Sequence, residues 1–185
     1  MGRALETFKA MWRGEKLSYD MDPNAFDLDA YVALVKQSAS ESQGAGVGVG
    51  PLEGLRVNLD QIVAIASAMT ADEKADPGRL KPPALRKIAS RVRPSFGVGE
   101  KDVRDVIYQV AMMRVTFRRV ARAVKSGSSA MPTSPEAFAA IVTKSQEEST
   151  PEQRVEDAKS LRGAYAGNSP CICGSGKRYK NCCDA

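Results

Sequence analysis

The chain of 185 residues contains no histidine. That removes the commonest general base and the commonest metal-ligating side chain. No Ser, Cys or carboxylate constellation replaces it, so the sequence is expected to belong to a non-enzyme. Aromatic residues are scarce at 6%, with the single tryptophan Trp12, so aliphatic side chains and alanine must fill the interior. No apolar run approaches the roughly 20 residues that cross a bilayer. The N-terminal stretch MGRALETFKAMWRGEK lacks the apolar core and cleavage site of an export signal. A chain with no transmembrane segment and a cytoplasmic location, where thiols stay reduced, is expected. Cysteine is absent before position 171. Alternating apolar and polar residues, the mark of a half-buried strand, are also missing.

Hydrophobic residues at 43% and charged residues at 26% are a globular balance, and the length suits one ordinary domain plus an appendage. The net charge is +5, unevenly distributed: residues 77–125 carry thirteen Lys/Arg and three Asp/Glu. Such asymmetry points to a polyanion or an acidic partner meeting the middle segment. The plainer alternative is a solvated basic face.

Helical periodicity runs through most of the sequence. Leu5, Phe8 and Trp12 share one face of a short helix over residues 2–13, and residues 14–25 read as loop. Asp27 caps a helix reaching to about Ser40, followed by a flexible Gly/Ser-rich stretch over 38–50. Asn58 or Asp60 starts the next helix, which runs to Met69, and Thr70 with Glu73 forms a capping box. Pro82 and Pro83 suit a first helical turn, while Pro94 is expected to end that helix. Val103, Val106, Val110, Met113, Phe117, Val120 and Val124 recur at threes and fours and define a long amphipathic helix over 100–125. Arg114, Arg118, Arg122 and Lys125 form a cationic stripe on another of its faces. Like charges spaced by four repel, so a partner outside the helix is expected to offset the stripe. Residues 125–134 read as linker, and Ser134-Pro135 and Thr150-Pro151 as two further helix starts.

All four cysteines fall within CICGSGKRYKNCC. Cys171, Cys173, Cys182 and Cys183 suit a tetrahedral Zn²⁺ site at about 2.3 Å per bond. The turn Gly174-Ser175-Gly176 is expected to aim backbone N–H groups at the sulfurs, and Lys177, Arg178 and Lys180 to offset the thiolate charge. Disulfides and free thiols are the competing readings. A closed four-cysteine site has no open position for substrate, which argues against a zinc enzyme. These residues closely resemble the SEC-C motif found at the end of the SecA translocation ATPase, roughly CxCGSGKKYKxCH. Cys171, Cys173 and Cys182 match three of its metal ligands, and Cys183 stands at the fourth. Ser175, Gly176, Lys177, Tyr179 and Lys180 match as well. The resemblance implies a docking module, with a SecB-like chaperone or the ribosome as possible partners.

Residues 25–125 resemble the M domain of the large subunit of the signal recognition particle. The matching pieces, in order, are AFDLDAYVALVKQ, PLEGL, IVAIASAMTADEKADPGRL, LRKIAS and KDVRDVIYQVAMMRVTFRRV. The resemblance implies a helical bundle without the family's GTPase domain. It implies RNA contacts at Arg86, Lys87, Ser90 and Arg91, with Arg93 close behind, and a groove for signal peptides. Met69, Met112 and Met113 with Leu34, Val35, Ile62 and Ile65 are candidates to line that groove, or are ordinary core. SRVRPSFGVG stands where the family has Gly-Ser-Gly, and the finger loop is short and lacks methionine.

The expected fold is all-α. It comprises an N-terminal helix and loop (1–24), an M-domain-like helical domain (25–125), a linker with two helices (126–167) and a zinc tail (168–185). The expected function is that of a signal-recognition-particle-like targeting factor, a ribonucleoprotein component that binds structured RNA and signal peptides. The cations of the middle segment, Arg114, Arg118 and Arg122 included, would meet its RNA phosphates. The alternative is a protein-interaction adaptor or chaperone-like protein that kept the M fold and lost RNA binding.

Overall fold

A computed structural model describes residues 26–33, 35–36, 58–75, 77–130, 132, 135–164 and 167–184. The expectations for the N-terminal helix, the Gly/Ser-rich stretch and Leu34 lie outside them. Among the described residues the chain is helical, and its only extended pairing is an isolated bridge between Pro170 and Arg178. The helices are α1 (Leu59–Ala68), α2 (Ala71–Ala75), α3 (Pro82–Phe96), α4 (Glu100–Lys125), α5 (Pro135–Glu147) and α6 (Pro151–Lys159). Residues 28–33 and 35–36, ahead of α1, are helical too. The chain divides within α4 into two compact units, residues 27–110 and Phe26 with 111–184.

The helix starts follow local chemistry. The Asp27 carboxylate accepts from Ala30 N–H at 2.8 Å. Asn58 and Gln61 exchange backbone and side-chain bonds in a capping box. Thr70 with Glu73 and Thr150 with Gln153 do the same. Each box gives partners to donors that a helix start otherwise leaves open.

One expectation is corrected. Helix α3 does not stop at Pro94 but runs through it to Phe96. Pro94 removes a single N–H in the last turn, where the freed Ser90 carbonyl lies on an exposed face and reaches water. The helix ends instead at Gly97, whose φ of 67° is left-handed and whose N–H bonds to Arg93 O at 2.8 Å.

In the unit of residues 27–110, α1 and α3 pack against each other. Gln61 Nε2 donates to Phe96 O and Arg91 Nη1 to Ala68 O, so the two helices run antiparallel. Ile62 and Ile65 of α1 and Leu85, Ile88, Ala89 and Val92 of α3 are buried, as are Val103, Val106 and Val110 of α4. Tyr31 is fully buried and its hydroxyl has no partner among the described residues; burial pushes its pKa up to about 12.

In the other unit, Phe117 of α4 sits between Phe26 and Phe138, with ring centroids 5.0 and 5.7 Å away. Val120, Val124 and Ile141 form a buried cluster that joins α4 to α5. Helix α6 attaches to α4 through charge. Asp157, fully buried, accepts from Arg119 Nε at 2.7 Å and from Arg122 Nη2 at 2.6 Å.

Candidate functional site

The cysteine tail folds around its own backbone bonds. Cys171 N–H bonds to Lys177 O at 2.8 Å, Tyr179 N–H to Ser169 O at 2.9 Å and Lys180 N–H to Gly167 O at 2.9 Å, so residues 167–171 lie beside 177–180. The link between them needs left-handed backbone at Gly174 (φ 82°) and Gly176 (φ 73°), where any Cβ is strained. A 3-10 turn over Tyr179–Asn181 then brings Cys182 and Cys183 back to the first pair.

Tyr179 anchors this loop to α6. It is fully buried, and its hydroxyl donates to Ala158 O at 2.7 Å. Ala158, Cys171, Tyr179 and Cys183 form one buried cluster, with Val155 and Ile172 packed against it. Burial, with the nearby Asp184 carboxylate, raises the phenol pKa far above its ordinary value.

All four Sγ atoms lie within 4.8 Å of one another. Cys173 and Cys182 are 3.6 Å apart at sulfur, and Cys182 and Cys183 are 3.8 Å apart. A tetrahedron with bonds of about 2.3 Å has edges of about 3.8 Å, so the cluster fits a four-coordinate metal. These spacings are nearly twice an S–S bond, and the cysteines are free thiols. The backbone N–H groups of Cys173 and Ser175 favour the thiolate forms of Cys171 and Cys173. A hydrogen bond from Ser175 lowers the Cys173 pKa to about 6. Burial raises those of Cys171 and Cys183. Metal binding would therefore meet one ready thiolate and draw protons from the buried pair. Lys177, Arg178 and Lys180 are exposed around the loop.

The cations of α3 form a second candidate surface. Arg86, Lys87, Ser90, Arg91 and Arg93 are all exposed. At about 100° per residue they span roughly 160° of the helix, opposite the buried Leu85, Ile88, Ala89 and Val92. Arg91 is tied to Ala68 O, whereas Arg86, Lys87 and Arg93 have no carboxylate partner among the described residues. Residues 77–99 hold six Lys/Arg and no Asp or Glu.

The α4 stripe is arranged differently. Arg114 Nε donates to Phe26 O at 2.6 Å, and Arg118 bonds to the Ser160 hydroxyl. Arg122 pairs with Asp157 and lies 3.8 Å from Glu156. Lys125 is exposed. The partners that offset this stripe thus belong to the chain itself. Of the candidate groove residues, Val35, Ile62, Ile65 and Met69 are buried side chains of their unit, and Met112 and Met113 are half-buried in the other.

Three residues escaped the sequence reading. Asp157 looks like any helix-surface acid, and its only signal is its place beside Ala158, two residues past Val155. Ser175 was seen as part of a turn and not as a donor to sulfur. Tyr179 was seen as a motif position and not as the anchor to α6.

Among the described residues no helix is long and apolar enough to cross a membrane. No curated protein and no solved structure matches the chain. A scan of protein families matches residues 168–183 to the SEC-C motif. That likeness covers the cysteine tail alone, where it agrees with the sulfur geometry: the tail is similar to SEC-C and carries a cysteine cluster suited to a metal.

Proposed function

We propose that this protein is a non-enzymatic RNA-binding factor of signal-recognition-particle type, with a zinc-held tail as its docking module. The observation that carries the reading is the α3 face. Arg86, Lys87 and Arg93 are exposed together in a segment with no carboxylate. Unopposed cations on one helix face are what a phosphate backbone neutralises. The order of M-domain-like segments supports a structured RNA as the partner, read by shape and backbone. For the tail, four clustered thiolates with edges near 3.8 Å suit Zn²⁺ above harder divalent ions. Free thiols in such a cluster fit a reducing cytoplasm.

The test is a salt titration of the zinc-loaded full chain against a structured RNA. Affinity is expected to fall with salt, by about 0.9 log units per log unit for each phosphate contacted. The R86E/K87E/R93E triple variant is expected to flatten that slope by about three contacts' worth. Affinity that stays weak and ignores salt refutes the reading.

A second reading, a protein-interaction adaptor, draws on the α4 arginines, since Arg114, Arg118 and Arg122 already have partners inside the chain. Capture of apolar signal-type peptides by the full chain, with no RNA-dependent change, favours this adaptor.

A further inference from the structure

A cavity of about 540 Å³ opens in the unit of residues 111–184, lined by parts of α4, α5 and α6 and by the turns that follow α4 and α5. Its size falls in the range of about 300–1,000 Å³ usual for small-molecule sites. Arg119, Arg122 and Lys125 line it, with Glu148 as the one carboxylate in the wall. Ser126, Ser128, Ser145 and Ser149 add four hydroxyls.

The arginines are held in place from behind. Asp157, fully buried, takes one donor from each: Nε of Arg119 and Nη2 of Arg122. That leaves both terminal nitrogens of Arg119 without an acceptor among the described residues. Arg122 Nη1 is itself buried and has no hydrogen-bond partner among the described residues. It lies 3.8 Å from a Glu156 carboxylate oxygen, beyond hydrogen-bond reach. A buried guanidinium nitrogen with nothing to donate to is costly, and native structures supply an acceptor.

The helix end nearest the serines does not supply one. The Ala123 carbonyl, in the last turn of α4, already accepts from the Ser126 and Ser128 hydroxyls and from Ser129 N–H. The balance of charge is set by few groups. Three cations line the wall against Glu148, and Asp157 neutralises one of them from behind. Glu156 and Glu148 are exposed, and Glu148 lies 4.0 Å from the Lys144 ammonium.

We propose that this cavity binds a phosphate-type oxyanion, with Arg119 and Arg122 as forked donors, Lys125 as a screening charge and the Ser145 hydroxyl as a lateral donor, since those of Ser126, Ser128 and Ser149 already donate to backbone carbonyls. Planar guanidiniums fixed by a carboxylate suit bidentate capture of such an anion. The size of the cavity leaves room for a group carried on the phosphate. The site belongs to a different unit from α3 and does not depend on the RNA reading.

The experiment uses the zinc-loaded full chain and isothermal titration with inorganic phosphate, then with adenosine monophosphate. Two short oligonucleotides, identical except for a 5′-phosphate, form a parallel arm. Saturable binding of either phosphate probe is expected. Lys125→Gln should weaken it about threefold, as loss of a partly screened charge does. Ser145→Glu, which puts a carboxylate in the wall, should weaken it by on the order of tenfold or more. Circular dichroism and metal content of both variants check that the fold is kept. Preference for the 5′-phosphorylated oligonucleotide assigns the phosphate to a nucleic-acid end. Equal affinity for the two oligonucleotides, with tighter adenosine monophosphate, assigns it to a free ligand. No saturable phosphate binding overturns the proposal, and so does binding that neither substitution changes.

Discussion

Replacing Asp157 by asparagine tests the electrostatic joint between α4 and α6. Its carboxylate has no exposed surface, while the side chains of Arg119 and Arg122 are 13% and 28% exposed. The bonds are short, at 2.7 and 2.6 Å. Asparagine keeps the shape but removes the charge, and it must turn an NH₂ toward one guanidinium. Removing one partner of a buried pair costs about 3–5 kcal/mol because the other charge stays buried. The partial exposure of Arg122 lets water soften the loss, so the low end, about 3 kcal/mol, is expected. In a chain of this length that lowers Tm by about 6–12 °C. Calorimetry on zinc-loaded wild type and variant measures it. A double-mutant cycle with Arg119→Lys then isolates the pair, with a coupling of about 1.5 kcal/mol or more expected. A loss below about 1 kcal/mol, the range of surface pairs, would show that the joint is solvated and refute the reasoning.

Other outcomes follow from the tail and the core. Tyr179→Phe deletes one buried hydrogen bond and is expected to cost about 1 kcal/mol, since Ala158 O keeps Leu161 N–H as a partner; Tyr179→Ala should cost about 3–5 kcal/mol, read by thermal melts. Native mass spectrometry should find one metal ion per chain, and a chelator should expose all four thiols to alkylation. Metal affinity should weaken as pH falls through about 6, where Cys173 takes up a proton that the metal must then displace. Above that pH Cys171 and Cys183 still hold protons in the metal-free state, so the affinity keeps rising with pH; a pH-independent affinity refutes this order. Ile88→Ala should cost about 2–4 kcal/mol in the unit of residues 27–110, read by denaturant unfolding.

The helices were legible because their signals are local. Prolines at first turns, capping boxes at Thr70 and Thr150 and the repeat of valines from Val103 to Val124 each depend on a few neighbouring residues. The cysteine cluster was legible for the same reason, since its ligands sit within thirteen consecutive positions. Pro94 misled because its effect depends on where in the helix it falls, and that is fixed by Gly97 downstream. The α4 stripe was visible as a stripe, but its partners lie 35 to 88 residues away. Nothing at Asp157 distinguishes it from the exposed Glu156 beside it, because the arginines that meet its carboxylate lie 38 and 35 residues away.

The buried cluster that joins Tyr179, Cys171 and Cys183 to Ala158 and Val155 has a practical meaning. The cysteine loop borrows part of its interior from a helix that begins near Thr150. A peptide cut just ahead of the loop would leave Tyr179 without its ceiling and remove the Ala158 carbonyl to which its hydroxyl donates. An excised version that keeps α6 would retain both, and would be the smallest piece worth preparing for partner screens.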